Sequence, residues 1–139
     1  MVQLAQLGSN QTLELAGVRV LIIEDEYFIG DDLRRALDRS GASVIGPCAT
    51  LAQAHAAVDA GGFDCAVVDL NLHGESGISI AEQLATEERP FVIATGYGSP
   101  AVPKTLAAVP RIEKPFDPDK ILQLLGELKL RGTTGLGRN

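Results

Sequence analysis

Three acids and one lysine stand where apolar runs of this chain stop. Glu24 and Asp25 follow RVLII, Asp69 closes CAVVD and Lys114 closes RIE, each at the junction of a strand-like run with a polar segment. In a parallel sheet with helices on both faces, groups at the carboxyl ends of neighbouring strands open into one crevice. Three carboxylates gathered there repel: two unit charges about 4 Å apart interact by roughly 4 kcal/mol at an effective dielectric near 20. Relief comes from shared protons or from a hard divalent cation, and Mg²⁺ takes one or two carboxylates while keeping waters and a phosphate. Lys114 brings one compensating charge. Alone, Glu24 and Asp25 read equally well as the acidic start of a helix, and Asp69 as a turn former. The spacing favours convergence, because the 44 residues from Asp25 to Asp69 are filled naturally by one strand–helix–strand unit and one further strand.

The elements that must position these groups alternate along the chain. A first strand, RVLIIE (19–24), is nearly continuous in apolar residues, as expected when both its faces are covered. A helix over about 26–40 follows, with Phe28, Ile29, Leu33, Ala36 and Leu37 on one inward face and Gly41 as its stop. SVIG (43–46) is the second strand, ended by Pro47, and Thr50 caps a helix over about 51–60 that Gly61 and Gly62 close. DCAVVD (64–69) is the third strand; the loop NLHGESG (71–77) leads into a helix over about 77–87, and FVIAT (91–95) is the fourth strand. Residues 96–110 carry Pro100, Pro103 and Pro110, and a proline inside a helix costs roughly 3 kcal/mol. The fourth helix is therefore expected to be short or irregular. RIEK (111–114) is the fifth strand, and a last helix begins near Asp117 and Pro118 with Ile121, Leu122, Leu124, Leu125 and Leu128 as its stripe.

Five strands alternating with helices predict an α/β, flavodoxin-like, doubly wound five-stranded parallel sheet in the order 2-1-3-4-5. Its switch point falls between the first and third strands, the two that end in Glu24, Asp25 and Asp69. Residues 1–18 lack the period of a helix or a strand and read as an N-terminal extension, 19–130 as the domain, and 131–139 as a flexible tail.

Composition narrows the function. At 139 residues the chain has room for one ordinary domain. The net charge is −6, and the twelve Lys and Arg are scattered rather than gathered, which argues against direct nucleic-acid binding. Cys48 and Cys65 sit in no metal-ligand or redox spacing and read as small buried residues. Reduced thiols, the lack of a signal peptide and the lack of any stretch near the roughly 20 apolar residues that span a bilayer suit a soluble cytoplasmic protein.

Taken in order, the acidic pair, the strand-end Asp69, Thr95 at the end of the fourth strand, and Lys114 followed by Pro115 and Phe116 resemble the receiver domain of two-component response regulators, from about Arg19 to Leu130. The resemblance implies Mg²⁺ held by Asp25 and Asp69, with Glu24 nearby or acting through water and the backbone carbonyl of Asn71 as a further ligand. It implies that Asp69 is the nucleophile and phosphorylation site, and that its donor is a phosphohistidine on a sensor histidine kinase or histidine phosphotransfer protein. Thr95 would donate to the phosphoryl group, and Lys114 would pair with Asp69 and then with phosphate. Tyr97 matches the switch aromatic that turns inward when Thr95 moves. Such a domain promotes its own phosphorylation and dephosphorylation without being an enzyme in the usual sense, and it signals to a downstream protein partner.

The chain departs from the family in two places. Thr95 and Lys114 are 19 residues apart, fewer than usual, and His73 stands where a proline is common. The segment ATGYG is similar to a single-domain group with the motif F-A-T-G-x-Y, although Phe91 comes early here; TLELAGVRVLIIEDE resembles the join to a receiver in hybrid kinases. Beside the phosphoacceptor stands a second function, a phosphorylation-independent adaptor or pseudo-receiver. A flavodoxin-like FMN protein comes third, because no hydroxyl- and glycine-rich phosphate loop follows the first strand. His55 and His73 read as ordinary surface histidines.

Overall fold

The structure, a computed structural model, describes residues 15–138, with side chains described through Lys129. Five strands form one parallel sheet: β1 (Arg19–Ile23), β2 (Ser43–Cys48), β3 (Cys65–Asp69), and two later strands, for which a small hairpin intervenes in the numbering. That hairpin is β4 (Asn71–Leu72) with β5 (Glu75–Ser76), so the remaining sheet strands are β6 (Phe91–Thr95) and β7 (Arg111–Glu113). The order is β2-β1-β3-β6-β7, which is the expected 2-1-3-4-5 winding. Helices α1 (Tyr27–Arg39), α2 (Leu51–Ala60), α3 (Ile78–Thr86) and α4 (Pro118–Arg138) cover both faces.

Strand alternation divides the core. Leu21, Ile23, Ala66, Val68 and Ile93 point to the side covered by α2 and α3, where Val58, Ile80 and Leu84 meet them. Val20, Ile22, Cys65, Val67 and Val92 point to the other side, against Leu33 and Leu37 of α1 and Ile121 and Leu125 of α4. Every residue of β3 is buried. Both cysteines are free and buried, and burial pushes the Cys65 thiol up to about 12.

Local chemistry explains most boundaries. Thr50 caps α2 by accepting from the Gln53 N–H at 3.1 Å, and the Gln53 side chain reaches back to the Ala49 N–H at 2.8 Å. Asp117 accepts from the Asp119 N–H at 2.9 Å at the start of α4. In place of a fourth helix the chain between β6 and β7 holds only a 3-10 turn, Lys104–Leu106, as its prolines dictate. Leu106 is nevertheless fully buried, so tertiary packing orders this segment.

The structure corrects the sequence reading at five points. Pro47 lies inside β2 rather than ending it, because β2 is an edge strand and tolerates a residue without an N–H at a bulge; pairing resumes at Ile23 with Cys48. Phe28 is 80% exposed rather than inward, because at 3.6 residues per turn it shares a side of α1 with Asp31, Asp32 and Arg35 and lies away from Leu33 and Leu37; its ring packs against Tyr27, 5.4 Å away, edge to face. The 71–77 loop contains the β4–β5 hairpin, turned by His73 and Gly74 at φ 53° and 84°, the two positive values a tight two-residue hairpin turn requires. Helix α4 continues to Arg138, past the expected end at 130, because extending a formed helix needs no new nucleus.

The fifth correction is the domain boundary. Leu15 is 1% exposed and packs in the core under α1 and α4, so the fold begins before Arg19; residues 1–14, the rest of the expected extension, lie outside the described residues. Leu15→Ala should therefore destabilise the fold by about 2–5 kcal/mol in chemical denaturation. A loss below about 0.5 kcal/mol, the scale of a surface change, would put the boundary back at Arg19.

Candidate functional site

Strands β1, β3 and β7 and the loop after β6 deliver their ends to one crevice of about 490 Å³, lined by Asp25, Glu26, Asp69, Asn71, Gly96 and Lys114 among others. Lys114 arrives from the end of β7 through a cis bond to Pro115, and its N–H donates to the Thr95 carbonyl at 2.7 Å. Its Nζ donates to Asp69 Oδ2 at 2.9 Å, Glu24 Oε2 at 2.9 Å and Glu26 Oε2 at 3.0 Å. An ammonium has three protons, so all are taken.

Backbone N–H groups hold the same carboxylates, Asp69 through its other oxygen and Glu24 through the oxygen that Lys114 also meets. Asp69 Oδ1 accepts from the Asn71 N–H at 2.9 Å, and Glu24 Oε2 from the Glu26 N–H at 3.0 Å. Asp25 takes no ammonium. Its Oδ2 accepts from the His73 N–H at 2.9 Å, at the tip of the hairpin, with the imidazole Nδ1 3.5 Å off. Gly77 holds the hairpin base tight: its N–H donates to the Leu70 carbonyl at 2.9 Å, and a Cβ there would collide with the Asp69 carbonyl.

Charge in the crevice is unbalanced. Glu24 and Asp69 side chains are 4% and 3% exposed and share one ammonium. Burial pushes the Glu24 carboxyl up from 4.5 to about 8 against the pull of Lys114, with the Asp69 charge adding to the rise. Asp69 is also pushed up by burial, and the Asn71 N–H and Lys114 draw it back only in part. For Asp25, burial pushes up, but the His73 N–H and its other hydrogen bonds outweigh it, and the carboxyl titrates below its ordinary value. Burial would lower Lys114, but its bonds to Glu24 and Asp69 prevail and keep the ammonium charged.

The donor set fits a hard divalent cation. Glu24, Asp25 and Asp69 each offer a carboxylate oxygen within 4.8 Å of the others, and Asp25, which no ammonium meets, leaves negative charge for it to neutralise. All-oxygen donors suit Mg²⁺ over softer metals.

The expected site residues do not all converge. Glu24, Asp25, Asp69, Asn71 and Lys114 do. Thr95 ends β6, but its hydroxyl lies 3.5 Å from the Ile112 carbonyl and it is not among the residues lining the crevice. Tyr97 sits at the rim with its side chain fully exposed.

Comparison with known proteins decides the family. The profile described as "response regulator receiver domain" matches residues 20–126. The chain belongs to the response regulator receiver family. Among curated proteins, this receiver is 33% identical over 125 residues to the transcriptional regulatory protein TcrA of Mycobacterium tuberculosis H37Rv, covering 85% of this chain and 48% of that one. It is 31% identical over 116 residues to the sensory transduction protein LytT of Bacillus subtilis 168, covering 81% and 48%. The chain spans about half the length of these relatives. Among solved structures, SdrG of Sphingomonas melonis Fr1 is 36% identical with a TM-score of 0.71, over 81% of this chain and 96% of that one. The receiver domain of PhyR from Erythrobacter litoralis is 26% identical with a TM-score of 0.68, over 84% and 92%. Among the described residues no helix is long and apolar enough to cross a membrane.

Glu26 and the main chain of His73 are parts of this receiver's site that escaped the sequence. Glu26 holds the N-cap position of α1 yet makes no cap; its carboxylate turns to Lys114 instead. The main chain of His73 orients Asp25, a role no side-chain pattern announces.

The raised Glu24 carboxyl gives a pH test. The folded state binds that proton more tightly than the unfolded chain, so stability from this group is full below 4.5 and is lost as pH rises through about 8. In chelator, the thermal midpoint should fall across this window, and Glu24→Gln, which keeps an acceptor for Lys114, should flatten the fall. A wild-type midpoint that stays level or rises would contradict the assignment.

Proposed function

We propose that this receiver takes a phosphoryl group from a phosphohistidine onto Asp69 and thereby changes which protein it binds. The observation that carries the reading is the state of Asp69. It is a buried carboxylate at the carboxyl end of the central strand, fixed by Asn71 and Lys114, and it faces an open crevice with Asp25 on its other side. Such fixation suits an in-line attack, where positioning and charge supply most of the catalysis.

In the step, an Asp69 oxygen bonds to phosphorus as the N–P bond of the donor breaks. Those electrons return to the imidazole, which takes up a proton. Lys114, already within hydrogen-bond reach, passes from the carboxylate to a phosphoryl oxygen and stabilises the added charge. Asp25, Asp69 and the Asn71 carbonyl, with Glu24 beside them, would hold Mg²⁺, which neutralises phosphoryl oxygens when bound. The domain thus acts as a phosphoacceptor that promotes its own phosphorylation and dephosphorylation, with a sensor histidine kinase or histidine phosphotransfer protein as donor. The buried free thiols fit a reducing, cytoplasmic setting.

The signal would leave through the loop after β6. Thr95 turns from the Ile112 carbonyl toward the phosphoryl group, and Tyr97 moves in from solvent behind it.

A small phosphodonor with Mg²⁺, read by intact mass, tests the reading. Wild type should gain one phosphoryl group, Asp69→Asn none while staying folded, and Asp25→Asn or excess chelator should cut the yield at least tenfold, about 1.4 kcal/mol or more. A stable phosphoryl mass on Asp69→Asn would place the nucleophile elsewhere. No gain by wild type would favour the phosphorylation-independent adaptor.

A further inference from the structure

Besides the Glu26 N–H, which Glu24 holds at 3.0 Å, the crevice has three backbone N–H donors near its acids, and each is already engaged. Asn71 donates to Asp69 and His73 to Asp25, at 2.9 Å in both cases. These two bonds end on carboxylates and hold the acids in place. The third differs: the Gly96 N–H donates to the Ser99 hydroxyl at 2.9 Å. Hydrogen bonds to a charged acceptor are roughly twice as strong as neutral ones. Of the three donors, Gly96 is therefore the one an incoming anion can win.

The bond belongs to a closed loop. The Ser99 N–H donates back to the Gly96 carbonyl at 3.0 Å, so residues 96–99 form a turn locked from both ends. Gly98 sits at its third position with φ 85°, the positive value that a type II turn demands there. Tyr97 occupies the second position, and the turn projects its ring wholly into solvent. Gly96 itself lies against the Lys114 stem, where an added Cβ would stand 3.2 Å from Cδ. Gly96 and Ser99 both line the crevice with Asp69 and Lys114.

We propose that Ser99 is a positioning residue, a latch whose hydroxyl stands in for a ligand oxygen at the Gly96 N–H while the crevice is empty. This rests on the reading of Asp69 as phosphoacceptor. When a phosphoryl oxygen or its mimic arrives beside Lys114, Gly96 exchanges the neutral hydroxyl for the anion, the turn opens on one side, and Tyr97 is released from its outward pose. Ser99 thus sets how strongly the empty state resists occupation and couples occupation to the loop.

Two measurements on the whole chain test the latch. The first is amide exchange at Gly96 in the metal-free protein: Ser99→Ala should speed it about tenfold, and Ser99→Thr, which keeps the hydroxyl, should stay within about twofold of wild type. The second is affinity for beryllium fluoride with Mg²⁺, followed by amide resonances: Ser99→Ala should bind about fivefold more tightly and, having lost a bond of the ligand-free state, unfold a few degrees below wild type, whereas Ser99→Thr should match wild type in both. If wild type binds the mimic and Ser99→Ala binds it equally or more weakly, the latch is refuted while Asp69 keeps its role. Gly96 exchange unchanged in Ser99→Ala refutes the latch by itself. Failure of wild type to bind the mimic removes both the phosphoacceptor reading and the latch that rests on it.

Discussion

The ammonium of Lys114 is divided among Glu24, Glu26 and Asp69, and the rest of the site follows from that division. One positive charge cannot balance the acids that β1 and β3 deliver. Asp25 is left to a backbone N–H, and Glu24 titrates far above its ordinary range. A buried ion pair recovers its desolvation cost only with good geometry and full hydrogen bonding; among the described residues no buried side-chain polar atom lacks a partner. The crevice is thus well bonded and still under-neutralised. Such a site holds its shape while keeping affinity for a cation and for what a cation brings.

The sheet exists in the service of that arrangement. Its switch point sets β1 beside β3, whose pairing puts Ile23 opposite Val68 and brings the acids after them to one level. Pairing of β6 with β7 places Thr95 opposite Glu113, so the next residue, Lys114, enters from the far side. The β4–β5 hairpin folds back to fix Asp25, and the glycines at 77 and 96 leave room where a Cβ would press on the Asp69 carbonyl or the Lys114 stem.

Much of this was legible in the sequence. Apolar runs that stop at charged residues gave the strand ends, and prolines at 100, 103 and 110 pointed to a short or irregular fourth helix where the chain makes only the Lys104–Leu106 turn. What stayed hidden depends on the third dimension. Phe28 is apolar, but only its place round the helix, on the side of Asp31, Asp32 and Arg35 and away from Leu33 and Leu37, shows that it faces out. Pro47 looks like a strand end until β2 is known to be an edge. Glu26 reads as an acid at a helix start, and only the reach of Lys114 across the crevice makes it part of the site. Ser99 is one serine in a polar loop until the turn at Gly98 brings its hydroxyl to Gly96. Leu15 is an isolated leucine in an aperiodic stretch, and only its burial in one cluster with Leu33, Leu37, Ile121 and Leu125 shows that it belongs to the core.

The central claim, that one lysine leaves the buried acids short of a cation, is tested most directly by titrating the metal-free protein with Mg²⁺ and following its amide resonances. A single saturable event should shift the amides of residues 24–26, 69–71 and 73 together and leave α2 and the far edge of β2 unmoved, with Asp25→Asn abolishing it. Shifts that never saturate, or that scatter over the acidic surface and persist in Asp25→Asn, would show that Lys114 already satisfies the crevice and that the account is wrong.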